Sequence, residues 1–285
     1  MTESFMPQAP AVQPAAHPAA GGERASEVRL RATGLTKFFG ATRALDGVDV
    51  GVKAGEALAI MGPSGSGKST LLLALAGIER PDAGSVIYRP DGGPEVDVAA
   101  LPDRERSRLR RGDFGFVFQQ GLLIPELTAE ENVALPLMVT GASRQAATAT
   151  ARDWLGRLGL AGMEGRRMGE LSGGQAQRVA IARAQAGGST VTFADEPTGA
   201  LDSATSREVM DLLLESTVGR GAALVLVTHD PQVAARCDRT LSLRDGRVEH
   251  QFFRNPSTGQ QPVVPAPSGH PSLGRPGRIL RGGTL

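Results

Sequence analysis

The chain has little that would tie it to an oxidising compartment, a nucleic acid or the interior of a bilayer. Its single cysteine, Cys237, has no partner for an internal disulfide and fits a reducing compartment. Lysine and arginine number 31 against 30 aspartates and glutamates, a net charge of +1 over 285 residues. There is thus no surplus of positive charge to suggest a nucleic-acid partner. No apolar run approaches the roughly 20 residues that span a membrane; the longest are residues 71–76 and 222–227. Pro7, Pro10, Pro14 and Pro18 interrupt the N-terminal stretch, so no secretory signal is expected there. No internal repeat is present, and a cytoplasmic location follows as the expectation.

Large apolar side chains are also scarce at both ends. Residues 1–26 are rich in Ala, Pro and Gly and cannot offset the entropy lost on ordering, so a disordered arm is expected. Residues 254–285 read as a disordered tail that contains Arg254, Arg275, Arg278 and Arg281 but no acid, with a weak attraction to anionic lipid as the alternative. Residues 27–253 between them suffice for one α/β domain with an appended subdomain. Short β-type runs at 28–32 and 48–52 precede a buried-looking strand at 57–61 and a helix at 68–76. A strand at 85–88, a charged helix at 103–111 and a strand at 114–118 come next. From about 127 to 170 the β signal disappears, and helices from Thr128 and across 143–158 mark an α-helical insertion. A helix at 174–186, a strand at 191–194, an amphipathic helix at 203–217, strands at 223–228 and 240–243, and the turn Asp245-Gly246 complete the order. This alternation predicts a mostly parallel central sheet flanked by helices.

Between strand and helix lies GPSGSGKST: Gly62, Pro63, Ser64, Gly65, Ser66, Gly67, Lys68, Ser69 and Thr70. It fits the phosphate-loop pattern in the context that gives the pattern meaning. The glycines permit a backbone whose N–H groups converge on phosphate oxygens at a helix N-terminus. Lys68 would reach the β and γ phosphates of ATP, and the Ser69 hydroxyl would ligate Mg²⁺. VTFADEP at 191–197 sets Asp195 at a strand end, where it would hold Mg²⁺, followed by Glu196 as a base for water. LSGGQ at 171–175 opens a helix with Ser172 as N-cap; Gly173 and Gly174 would leave N–H groups uncovered, and Gln175 follows.

These three motifs in one chain resemble the nucleotide-binding domain of the ABC (ATP-binding cassette) superfamily over about residues 28–250. The resemblance implies a P-loop NTPase of ABC type: a mostly parallel sheet with helices, an antiparallel β subdomain and the α-helical subdomain inserted at about 127–170. It makes GPSGSGKST the Walker A loop, LSGGQ the signature motif and VTFADEP the Walker B strand with Glu196 as catalytic base. Gln119 matches the Q-loop glutamine that joins Mg²⁺ and the attacking water to the helical subdomain, Asp202 the D-loop, and His229 the switch histidine at the γ-phosphate. Phe39 falls where the family stacks an aromatic on adenine; Phe38 is the alternative, and a core role is open to both. Thr192, in a strand usually wholly apolar, and Ala200, where Asn is common, depart from the pattern.

The same resemblance implies a head-to-tail dimer with a second ATPase subunit, in which Ser172, Gly174 and Gln175 complete the partner's γ-phosphate site. LTAEENVALPLM at 127–138, with RVAIARA, ADEPTGALDS and VTHDP, is similar to the lipoprotein-release, macrolide-export and antimicrobial-peptide-export branch. That implies an ATPase subunit held peripherally on the inner face of the membrane by a transmembrane permease. Glu126, Glu130 and Glu131 are expected near the groove that takes the permease's coupling helix. The competing reading is a regulatory ATPase that acts on a membrane partner without transport, as the branch's cell-division member does.

Overall fold

The computed structural model describes residues 27–119, 122–254 and 263–265. Its elements in chain order are β1 (Val28–Phe39), β2 (Thr42–Lys53), β3 (Ala57–Met61), α1 (Lys68–Leu75), β4 (Ala83–Tyr88), β5 (Val96–Asp97), α2 (Asp103–Gly112) and β6 (Phe114–Phe118). There follow α3 (Ala129–Val139), α4 (Arg144–Arg157), α5 (Gly173–Ala186), β7 (Val191–Asp195), α6 (Ser203–Thr217) and β8 (Ala223–Val227). The last elements are α7 (Pro231–Ala234), β9 (Arg239–Arg244), β10 (Arg247–Phe253) and β11 (Val263–Pro265).

Two sheets form. One is antiparallel, in the order β2-β1-β4-β5; the other runs β11-β10-β9-β3-β8-β7-β6 and is parallel from β9 to β6. The central strands β3 and β8 carry only apolar side chains because both of their faces are covered. Successive side chains point to opposite faces of a strand, and here each face joins its own core. Leu58, Ile60, Val225 and Val227 pack with α1 and the antiparallel sheet. Ala57, Ala59, Leu224 and Leu226 pack with α3, α4, α5 and α6.

Register sets the level at which the parallel strands end. Phe118 pairs with Asp195, Asp195 with Val227, and Ile60 with Val227, so the loops after β6, β7, β8 and β3 leave from one line. Open parallel sheets gather ligands along such an edge. Helix starts are equally explicit in the local chemistry. Thr128 and Glu131 form a reciprocal capping box on α3, and Ser143 caps α4.

Thr192 is wholly buried in β7, and its Oγ1 accepts a hydrogen bond from Gln185 Nε2 at 2.9 Å. The polar residue in this strand is therefore paired, which removes the cost of burying it alone.

Three expectations change. The runs at 28–32 and 48–52 are parts of strands that extend to Phe39 and back from Thr42, with register shifts along the pair. The chain past the Asp245-Gly246 turn continues as β10, which pairs with β9. The expected disordered tail from 254 is corrected at two places. Arg254 N–H donates to Asp238 O at 2.8 Å, and residues 263–265 form β11 against β10. Backbone pairing to a neighbouring strand supplies what composition could not reveal. The expected arm at 1–26 and the remainder of the expected tail lie outside the described residues. Among the described residues no helix is long and apolar enough to cross a membrane.

Candidate active site

The loop between β3 and α1 is shaped by glycines that a side chain would dislodge. Gly62 has φ +149°, and a Cβ there would lie 2.1 Å from Leu243 O. Gly67 has φ +99°, and its Cβ would lie 2.3 Å from Ala44 O. Gly67 is also the N-cap of α1 and offers no side-chain acceptor, so the helix presents uncapped N–H groups to the mouth of the loop. Lys68 Nζ donates to Gly62 O at 2.9 Å and Pro63 O at 2.8 Å. Ser66 is buried, and its Oγ has no hydrogen-bond partner among the described residues. A glycine-shaped loop at an uncapped helix N-terminus, with its ammonium resting on its own carbonyls, fits a polyanion.

The carboxylates sit across from this loop. Ser69 Oγ donates to Asp195 Oδ1 at 3.5 Å. Burial pushes the Asp195 carboxyl above its ordinary range; the Glu196 charge adds to this, while the Ser69 hydroxyl and the Lys68 charge oppose it. Such a carboxylate would gain from a nearby cation. Glu196 has φ +48°, a left-handed conformation that costs a non-glycine residue about 1–2 kcal/mol. Its N–H donates to Val227 O at 3.0 Å, tying the end of β7 to the end of β8.

The His229 imidazole meets Glu196 Oε1 through Nδ1 at 2.9 Å. The hydrogen bond to Glu196 and that carboxylate's charge hold its pKa above the ordinary histidine value. Thr228, beside it, anchors the loop: its N–H donates to Ile60 O and its Oγ1 accepts from Asp230 N–H. Gln119, one residue past β6, lies exposed beside Gly199; a Cβ on Gly199 would come within 3.1 Å of Gln119 Nε2. The structure thus brings Lys68, Ser69, Asp195, Glu196, His229 and Gln119 to one edge of the sheet.

The signature-type motif is organised within itself. Ser172 Oγ accepts from Gln175 N–H at 3.3 Å, and Gln175 Oε1 accepts from Ser172 N–H at 2.9 Å. Among the described residues no hydrogen bond links it to the phosphate loop. Gly174 is buried, and a Cβ there would lie 2.4 Å from Thr205 Cγ2, so its missing side chain lets α5 approach α6. Asp202 caps α6, accepting from Ala204 N–H, Thr205 N–H and Thr205 Oγ1, and the Thr205 hydroxyl and these N–H groups hold its carboxyl below the usual range. Phe38 and Phe39 are 41 % and 51 % exposed, which removes the core role for either. Lys37 Nζ lies 5.3 Å from the Phe39 ring centroid. Glu130 pairs with Arg152 and Glu131 serves the α3 cap, so both acids are engaged locally.

Gln177 was not anticipated. It is buried on α5, and its Nε2 donates to Phe118 O at 3.1 Å, immediately before Gln119. A polar residue inside an otherwise apolar helix face was the available signal.

Comparison with known proteins follows the same lines. The ABC transporter family profile matches residues 45–199. The lipoprotein-releasing system ATP-binding protein LolD of Cereibacter sphaeroides is 44% identical over 220 residues, covering 75% of this chain and 96% of that protein. The macrolide export ATP-binding/permease protein MacB 1/2 of Paracoccus denitrificans is 47% identical over 223 residues, or 78% of this chain. Those residues are only 32% of that relative, so the chain spans about a third of the length of the macrolide-export protein it matches. Among solved structures, the dimeric post-hydrolysis state of the ATP-binding cassette MJ0796, bound to ADP and Pi, is 40% identical with a TM-score of 0.70. That match covers 79% of this chain and 98% of the cassette.

Proposed function

The chain belongs to the ABC transporter family as an ATP-binding cassette ATPase, and from that premise we propose that it powers a separate membrane permease in the export or extraction of a lipoprotein, peptide or drug. The observation that carries this reading is the single sheet edge where Lys68, Ser69, Asp195, Glu196 and His229 meet, with Glu196 turned back by its left-handed backbone. The branch is supported by similarity to a lipoprotein-releasing and a macrolide-export protein.

On binding ATP, the Lys68 ammonium exchanges the carbonyls of Gly62 and Pro63 for the β and γ phosphates. The N–H groups of residues 64–70 surround the phosphate oxygens, and Phe39 stacks on the adenine, with Phe38 next to it. Asp195, the Ser69 hydroxyl and Gln119 would hold Mg²⁺, which would supply positive charge against the charge that develops on the phosphate oxygens. Glu196 accepts the proton of the water whose oxygen attacks the γ-phosphorus, while the bond from that phosphorus to the ADP oxygen breaks. With Oε1 fixed by His229, Oε2 of Glu196 remains for the water. In the imidazolium form, which the Glu196 contact favours, the other imidazole nitrogen also carries a proton and can donate to a γ-phosphate oxygen.

The self-capped LSGGQ helix end completes a second subunit's γ-phosphate site in a head-to-tail dimer, with Asp202 near the same interface. The helices of residues 127–170 act as the subdomain that meets the permease. An apolar groove of about 300 Å³ lined by Phe114, Phe116, Ile124 and Leu135, with Arg110 and Arg183 at its margin, suits the permease segment. The chain would then sit on the cytoplasmic face of the membrane, held there through its partner.

Glu196→Gln tests the core of this reading. The amide keeps the shape but cannot take a proton, so turnover should fall at least about 100-fold while ATP is still bound. Near wild-type phosphate release from that variant would overturn the assignment of Glu196.

A further inference from the structure

The turn between β9 and β10 lies against the phosphate loop. Arg244 pairs with Arg247, so Asp245 and Gly246 alone make the turn, with φ +48° and +74°. Two successive left-handed residues are what a tight hairpin of matching twist requires. Gly246 N–H donates to Ser66 O at 3.1 Å, and Gly246 O accepts from Asp46 N–H at 2.9 Å. A Cβ on Gly246 would lie 2.8 Å from Ala44 O, the same oxygen that a Cβ on Gly67 would strike. Turn, β2 and phosphate loop therefore touch backbone to backbone at one place.

An ionic triad spans the same place. Asp46 Oδ2 accepts from Arg247 Nε at 2.7 Å and lies 2.5 Å from its Nη2, and Asp46 Oδ1 accepts from Arg43 Nη1 at 2.8 Å. The Arg43 guanidinium in turn lies 5.1 Å from the Phe38 ring centroid. The side chains of Arg247 and Arg43 are 70% and 50% exposed, so solvent screening leaves these pairs little weight in overall stability. Their geometry is more telling, because they join the turn under Ser66 to the strand end that carries Phe38 and Phe39.

We propose that Arg247, Asp46 and Arg43 are positioning residues for the nucleotide. They hold the phosphate loop and the aromatic wall of β1 in one frame before ATP arrives. Such preorganisation lowers the ordering cost of binding and leaves the hydrolytic groups untouched. The proposal rests on the ATP site described above.

The test uses the full chain and MgATP, with affinity from titration calorimetry and turnover from phosphate release. Arg247→Ala should weaken MgATP binding about fivefold, with turnover at saturating ATP within about twofold of wild type. The melting temperature without ligand should stay unchanged. Arg247→Lys, which keeps a cation on Asp46 and leaves the Arg43–Asp46 pair intact, should recover most of the affinity. An unaltered dissociation constant in Arg247→Ala, or an equal loss in Arg247→Lys, overturns the brace. A wild-type chain that fails to bind MgATP would instead remove the ATP site on which the brace depends.

Discussion

Glu196 shows how one residue can hold strain to a purpose. The left-handed backbone persists because its N–H is fixed to Val227 O and its carboxylate to His229. The same contact favours the charged form of the imidazole. Because His229 has a raised pKa in the folded chain, any stability gained from its proton is present in full below the ordinary histidine value. That gain is lost as pH rises through the folded value. His229 is largely exposed, so the effect on global stability is small and the local titration is the better reporter. An NMR titration should give His229 a midpoint above that of a free histidine, and Glu196→Gln should lower it. A wild-type midpoint at or below the free value would show that the Glu196 contact does not form in solution.

Helix α5 joins three jobs along its length. Its first turn is closed by Ser172 and Gln175, its buried Gly174 admits Thr205 of α6, and Gln177 reaches the end of β6. A movement of this helix would therefore be felt at Phe118 and Gln119 as well as at LSGGQ. Packing at Gly174 is the most sensitive point, since Gly174→Ala places a methyl 2.4 Å from Thr205 Cγ2. Helices α5 and α6 must then separate, and overpacking of this sort costs about 1–3 kcal/mol. Denaturant unfolding should show a midpoint lowered accordingly; a midpoint equal to wild type would mean the α5–α6 contact is slack.

At the scale of the whole molecule, the phosphate loop and LSGGQ are two helix ends with no hydrogen bond between them among the described residues. Under the proposed function one chain holds two halves of different sites, which a head-to-tail pair would combine. The similar cassette MJ0796 is dimeric in its solved structure. Ser172→Arg adds a long cation at the helix end while leaving Lys68, Asp195 and Glu196 intact. In the Glu196→Gln background, size-exclusion chromatography with MgATP should find a dimer, and adding Ser172→Arg should return it to monomer with nucleotide still bound. A dimer that survives the arginine would place the closing contact elsewhere.

Most chemistry-bearing residues were legible in the sequence because their signals are local. GPSGSGKST, VTFADEP and LSGGQ each need only neighbouring residues, and the all-apolar strands β3 and β8 announce a buried parallel sheet. The same locality let Thr128, Ser143 and Ser172 be read as helix starts. Other features depend on partners far along the chain. Gln177 meets Phe118 across 59 residues, Arg247 meets Asp46 across 201, and β11 exists only by pairing with β10. Composition alone suggested that residues 263–265 would not order, since nothing in their own pattern announces the neighbouring strand. The sequence by itself determined which groups can bind phosphate and take a proton. Tertiary structure decided that Phe118, Asp195 and Val227 stand level, and that Gly246 sits beneath Ser66, because strand register and close packing are settled by the whole core.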